Sequence, residues 1–458
     1  MAIGKWEGRG GYREVLNVGL PLVASMASTT VMQFTDRIFL GNHSLDALAA
    51  SLSGSITSFV FMAFFIGVAT YVNVFVAQYT GAGRYDRVGA ALWQGVWFSV
   101  LAAGAMVLMA LPADWLFSMA GHSPEVQTLE VLYYRILCYG SGLSILSLCL
   151  SSFFSGRGMT RPVAVVNTIG AVLNIPLDYA LINGAWGFPE LGIAGAGIAT
   201  VVAWGVTALL FARMVFTAKH ERCYKVLSAW RYDRDVFRRL MRFGLPGGVQ
   251  FFLDIFGFTM FILLVGRLGS SELAATNLVF SLNHFTFMPM VGLHIATETL
   301  MGQAMGAKHP EWGEAATRSA MHLCLGWAAL LGLVFVVFPE PLAMLFRPAD
   351  FTPEQFAPVV ASSRILLLFV AGYSFFDGLA IIQFGALKGA GDTRFVMLSL
   401  AACSLALLVV PTYVIIEVLH GGLYMAWACV AVYLAGLSLV TRMRYAGGKW
   451  KTMSVIGT

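Results

Sequence analysis

The sequence predicts an all-α membrane protein: twelve transmembrane helices in two six-helix lobes related by a pseudo-two-fold axis along the membrane normal. Three observations carry this. Apolar residues make up 58% of the 458 positions and charged ones only 12%, about half the charged share of ordinary soluble proteins. Basic residues fall in alternate short segments between the apolar runs. The second half of the chain repeats motifs of the first at a displacement of 225 residues.

A bilayer core needs about 20 largely apolar residues to cross it, and backbone groups inside it must be satisfied within helices. Twelve stretches qualify: 14–40, 46–78, 88–111, 128–155, 161–183, 191–217, 236–266, 271–305, 315–338, 358–386, 393–416 and 422–441. Several exceed the minimum and must tilt, bend or project. The 48 Gly and 15 Pro agree with membrane helices, where both are commoner than in soluble ones. The six cysteines are scattered without paired spacing, so neither a disulfide framework nor a zinc site is expected. The polar opening residues lead straight into the helices, so no cleavable signal is expected.

Charge sets the orientation. With the first residues in the cytoplasm, 24 of the 29 Lys and Arg fall on the cytoplasmic side, leaving Arg37, Arg135, Arg267, Arg347 and Arg364 for the spans or the other side. This asymmetry predicts both termini in the cytoplasm, and the chain is expected to be a multi-pass protein of the cell inner (plasma) membrane. The longest basic segment lies between spans six and seven. It divides the chain into an N-lobe (1–217), a cytoplasmic linker (218–235) and a C-lobe (236–458). The net charge of +5 is spread over loops, whereas nucleic-acid binding needs a clustered basic face.

The repeat is specific. Under the 225-residue shift Gly19-Leu20-Pro21 falls on Gly244-Leu245-Pro246, Gly41 on Gly266, Leu48-Ala49-Ala50 on Leu273-Ala274-Ala275, Gly67 on Gly292, Gln78 on Gln303 and Gly81 on Gly306. Six helices is an even number, so both halves enter the membrane in the same direction. Repeats of this kind mark secondary transporters, whose substrate site lies between repeats near the midplane; rocking of one half against the other would then give alternating access.

These residues resemble the multidrug and toxic compound extrusion (MATE) family. The repeated Gly-Leu-Pro opening is one match. The pair Ala77-Gln78-Tyr79-Thr80-Gly81-Ala82-Gly83 and Gly302-Gln303-Ala304-Met305-Gly306-Ala307 is another. The third is the run from Gly385 to Arg394, GALKGAGDTR, after span ten. The resemblance covers nearly the whole chain. It implies export of small amphipathic, often cationic drugs in exchange for H⁺ or Na⁺, with no cofactor, no metal beyond Na⁺, and a monomer in the lipid bilayer.

A charge inside the bilayer is expensive and points to function. Asp36, Asp178, Asp254, Glu298 and Asp377 meet that description. Asp36, near the outer end of span one, matches the family's span-one Asp; the alternative is an ion pair with Arg37. Asn174 and Asp178 share one helix face, and Pro176 between them frees a backbone carbonyl. Together these oxygens suit Na⁺ or a proton; the alternative is a polar pair joining two helices. The resemblance gathers Asp36, Asn174, Asp178 and a span-six Thr, here Thr200, in the first lobe. In the second, Asp254 stands where the NorM-type branch has Glu, and Asp377 matches that branch's span-ten Asp; the pair would form a cation or substrate-charge site. His294 and Glu298, four apart in span eight with Asn283 and His284 before them, extend a proton path or make a structural pair.

Other classes fit less well. The loop Gly81–Gly89 approaches the major-facilitator motif, but its spacing is off by one and Ala90-Ala91 replaces the closing basic pair. A lipid-linked oligosaccharide flippase of related fold would need cavity cations where this chain has acids. With no HExxH and no P-loop, an enzyme is not expected.

Overall fold

The structure, a computed structural model, describes residues 6–119, 121–347 and 351–457. Among them are twelve helices long and apolar enough to cross a membrane: α1 (Tyr12–His43), α2 (Leu45–Gly81), α3 (Tyr85–Met109), α4 (Pro124–Ser155), α5 (Arg161–Asn183), α6 (Ile193–Val215), α7 (Arg234–Val265), α8 (Ser270–Gly306), α9 (Pro310–Val337), α10 (Pro353–Ala390), α11 (Thr393–Val418) and α12 (Leu423–Ala446). The chain is a multi-pass, all-helical membrane protein. The bounds of α2 and α8 differ by 225 residues at both ends, the displacement of the sequence repeat.

Helices outrun the apolar stretches where capping chemistry extends them. At the start of α10 the Thr352 hydroxyl accepts the Gln355 N–H at 3.3 Å and the Gln355 side chain accepts the Thr352 N–H at 2.9 Å. This capping box, with Pro353 behind it, satisfies donors that the first turn leaves open. Gly391 ends α10 at φ 109°, a conformation that costs only glycine nothing. Span α2 is interrupted at Tyr71, and α11 widens to π-helix over Ser404–Val409 and Val414–Val418.

Two compact units emerge from the contacts. One holds Asn17–Phe252, Gly302–Lys308 and the residues from Ser454. Its centre is α4, packed on α2, α3 and α6, with α5 against α6. Small residues make this close: Gly140 faces Val201, and Gly195 lies against the Leu181 backbone, the packing membrane helices favour. The other holds residues up to Leu16, Leu253–Met301 and His309–Met453. Here α10 packs on α9 and α12, and α11 on α12. Its buried aromatics include Trp427, stacked on Phe280 at 5.1 Å, with its indole N–H donated to Thr276 at 3.2 Å.

The basic linker carries structure of its own. A helix, Ala218–Tyr224, is capped by Thr217 and closed by Lys225. Its His220 ring packs on Phe153, and Arg157 lies over Phe153 and Tyr224 at 4.1 and 4.7 Å. Beyond it, Trp93 donates to the Val226 carbonyl at 2.6 Å and Trp97 to that of Trp230 at 3.1 Å.

Candidate functional site

The first acidic cluster sits on α5 and α1. Asn174 and Asp178 are both 0% exposed, one turn apart on α5. Pro176 between them has no N–H, so the Val172 carbonyl loses its helical donor. Asp36 of α1 neighbours Asp178, which also neighbours Asn174. Asp36 Oδ1, both Asp178 oxygens and both Asn174 amide atoms are buried and face one another, short of strong hydrogen bonds to the rest of the protein. Polar atoms poorly satisfied in an apolar interior cost several kcal/mol in alkane-like surroundings, a cost that a shared proton or a bound cation would relieve. Converging carboxylate and amide oxygens are hard ligands of the kind Na⁺ takes, and two neighbouring carboxyls can share a proton.

Sequence reasoning missed Tyr133 of α4. The ring is buried between two glycines: a Cβ on Gly54 would lie 3.1 Å from its Cδ1, and one on Gly197 3.4 Å from its Cδ2. Ser55, Asp36 and Asp178 all lie within electrostatic reach of its hydroxyl. The one signal was those two small residues. Thr200 is 7% exposed. On the antiparallel α5–α6 pair, Gly195 meets Leu181 and Gly170 meets Thr207, which puts Thr200 at the level of Pro176, between Asn174 and Asp178.

The second cluster joins Asp254 of α7 to Asp377 of α10, which interact electrostatically. Around them stand Tyr373, one turn before Asp377, and Tyr433 of α12, on which both acids act. Both tyrosines are buried, and Phe258, one turn after Asp254, packs edge-on against Tyr433 at 6.2 Å. Two carboxylates among aromatic faces make surroundings that attract a lipophilic cation by charge and by ring quadrupole. None of these aromatics was singled out in the sequence.

His294 and Glu298 do meet, Nε2 to Oε2 at 3.5 Å. Lys388 of α10 joins them, its Nζ 3.9 Å from the same Glu298 oxygen. The i, i+4 spacing exposed the first pair; the lysine, ninety positions on, was read only as part of a motif.

The MatE family profile matches the chain twice, over residues 21–180 and 246–414. The chain belongs to the MatE family. The two matches begin 225 residues apart, as the internal repeat does. Among relatives of this MatE chain, the multidrug resistance protein PmpM of Pseudomonas aeruginosa is 29% identical over 85% of this chain and 81% of its own length. The probable multidrug resistance protein NorM of Thermotoga maritima is 24% identical over 97% of this chain and 94% of its own. Among solved structures, a MOP superfamily transporter from Pyrococcus furiosus superposes with a TM-score of 0.87 at 18% identity, over 98% of each chain. A multidrug resistance MATE family transporter in an outward-facing conformation superposes with a TM-score of 0.87 at 19% identity, covering 96% of this chain and 97% of that one. At these identities the two structures speak for the fold.

Proposed function

We propose that this MatE chain is a secondary active antiporter of the cell inner membrane, with both termini cytoplasmic. It exports small amphipathic or cationic drugs in exchange for H⁺ or Na⁺ by alternating access, working as a monomer in the bilayer. The family membership and the names of the relatives support the transport class. The observation that carries the coupling is the set of buried oxygens that Asp36, Asn174 and Asp178 turn toward one another.

An anion in the bilayer interior is costly, so Asp36 and Asp178 favour a bound proton or Na⁺. Tyr133, locked by Gly54 and Gly197, steadies the carboxyls, and Thr200 adds a hydroxyl at their level. Asp254 and Asp377 give a drug cation its counter-charge, and Tyr373 and Tyr433 give it apolar walls. Antiport follows when ion binding at one cluster lowers drug affinity at the other, because such coupling is reciprocal.

The test is ethidium transport in proteoliposomes under an imposed pH or Na⁺ gradient alone. One of the two gradients is expected to drive uptake against the ethidium gradient. No driven movement of ethidium or other lipophilic cations under either gradient would overturn the reading.

A further inference from the structure

We propose that His294, Glu298 and Lys388 form a third ion site in this MatE chain, a proton-binding site that fills and empties during transport. The proposal rests on the antiport reading and adds a proton that neither carboxylate cluster holds.

The geometry assigns the histidine's protons. His294 Nδ1 lies 2.7 Å from the Ile381 carbonyl oxygen. A carbonyl only accepts, so Nδ1 carries hydrogen. Close packing fixes the ring in that pose. Gly385 of α10 passes against His294, where a Cβ would come within 2.6 Å of its carbonyl oxygen and 3.1 Å of Nδ1, and Gly389 passes against the Glu298 backbone. The glycines of the GALKG run are therefore what brings α10 onto these two residues.

With Nδ1 committed, Nε2 is the atom facing Glu298 Oε2 at 3.5 Å. In neutral imidazole Nε2 offers a lone pair, and so does a carboxylate oxygen. Two acceptors face each other favourably only with a proton between them. Lys388 Nζ approaches the same oxygen at 3.9 Å, so lysine and proton compete for it. Two states follow. Without the proton, Glu298 is balanced by Lys388 and the cluster is neutral. With it, Nε2–H points at Oε2 and the cluster carries one positive charge. On release the N–H bond breaks and the proton leaves to water.

All three side chains are largely buried, with exposures of 15%, 8% and 13%. An unbalanced charge there is expensive, which makes the protonated state sensitive to neighbouring charge. Among the described residues, the charges that act on it include Lys388 and, through that lysine, Asp254. Asp254 offsets the Lys388 charge, and Lys388 repels a protonated His294, so a drug cation that neutralises Asp254 and Asp377 leaves that repulsion unopposed and expels the proton. One positive charge is exchanged for another, as antiport requires.

Two measurements on the full chain test this. In nanodiscs without substrate, ¹⁵N-histidine NMR should show His294 with a proton on Nδ1 throughout and a titrating Nε2, the signal being assigned by His294→Gln. The Nε2 midpoint should move by about one pH unit or more in Glu298→Gln, the size of a nearby-charge effect, and return in Glu298→Asp. In proteoliposomes, the pH profile of ethidium antiport should shift in His294→Gln and Glu298→Gln, with fewer protons exchanged per ethidium, and Glu298→Asp should restore it. A proton fixed on Nε2, a midpoint indifferent to Glu298, or an unchanged pH profile and stoichiometry would each overturn the site. If wild-type protein moves no ethidium, the antiport reading fails, while the NMR still decides whether the proton site exists.

Discussion

Gly81 lies directly against the backbone of Gln303, and the contact is reciprocal: Gly306 lies the same way against Gln78. The four residues are two pairs of the internal repeat, and all belong to one compact unit. Backbone faces backbone here, so nothing flexible can yield. Gly81→Val or Gly306→Val is expected to cost about 1–3 kcal/mol or more, the range of overpacking, read as a lowered melting temperature in detergent. Gly104→Ala, inside a helix with no atom within 4 Å of its added Cβ, serves as the control, and its melting temperature should hold or rise slightly.

The first acidic cluster makes a graded prediction. Asp36→Asn and Asp178→Asn should reduce gradient-driven ethidium transport to background. Tyr133→Phe keeps the ring between its glycines and removes only the hydroxyl. It should leave the protein folded and weaken ion affinity about tenfold, the usual scale for a group that orients a ligand. Ion-concentration dependence of the transport rate separates the cases; wild-type coupling in Asp178→Asn would remove this cluster from the mechanism.

Asp392 and Arg444 form a two-pronged ion pair at 2.6 and 3.3 Å, with the guanidinium 4.8 Å above the Phe395 ring. Asp392 is buried. Arg444→Gln leaves that carboxylate uncompensated and should destabilise by about 3 kcal/mol. Adding Asp392→Asn should recover part of the loss. Thermal melts of the single and double variants check both statements.

The linker helix should respond to acid. Burial against Phe153 and its neighbours holds His220 below its usual value near 6.5. The folded state therefore takes up this proton less readily than the unfolded one. Docking is at full strength above about pH 6.5 and weakens as pH falls through the lowered value. Hydrogen exchange of Ala218–Tyr224 should accelerate on acidification, and His220→Gln should flatten the response. Neighbouring Glu221 is held low by Ser228 and by the Leu227 N–H at 2.5 Å. Its hold on the following turn should fade only at lower pH, below the ordinary carboxylate range near 4.3.

The membrane spans were legible because an apolar run of spanning length has few other uses. Their ends were less so. Thr352 and Gln355 lengthen α10 through a side-chain exchange that hydropathy does not register. The acids stood out by rarity, as one carboxylate in a span is conspicuous where one aromatic is not. Tyr133, Tyr373 and Tyr433 were therefore lost among 15 Tyr and 34 Phe. Lys388 was visible as a motif residue, but its partner Glu298 lies on another helix, and only packing through Gly385 and Gly389 joins them. The linker helix hid behind its charge, since its docking depends on aromatics of α3 and α4 far away in sequence.

The Gln78 side chain, placed by α2, accepts the Val455 N–H at 3.0 Å, and Arg239 donates to the Ile456 carbonyl at 2.6 Å. This compact unit thus takes pieces from three stretches of chain, the last beginning at Ser454, about two hundred positions after Phe252. A ribosome delivers those stretches far apart in time. Helices α1 to α6 must then wait in the bilayer with part of their packing surface open while the remaining spans are inserted, and the unit is sealed by residues made long after its core. Insertion and final assembly are separate events here, and a chain cut before Ser454 would carry an unfinished first unit however well its early helices were inserted.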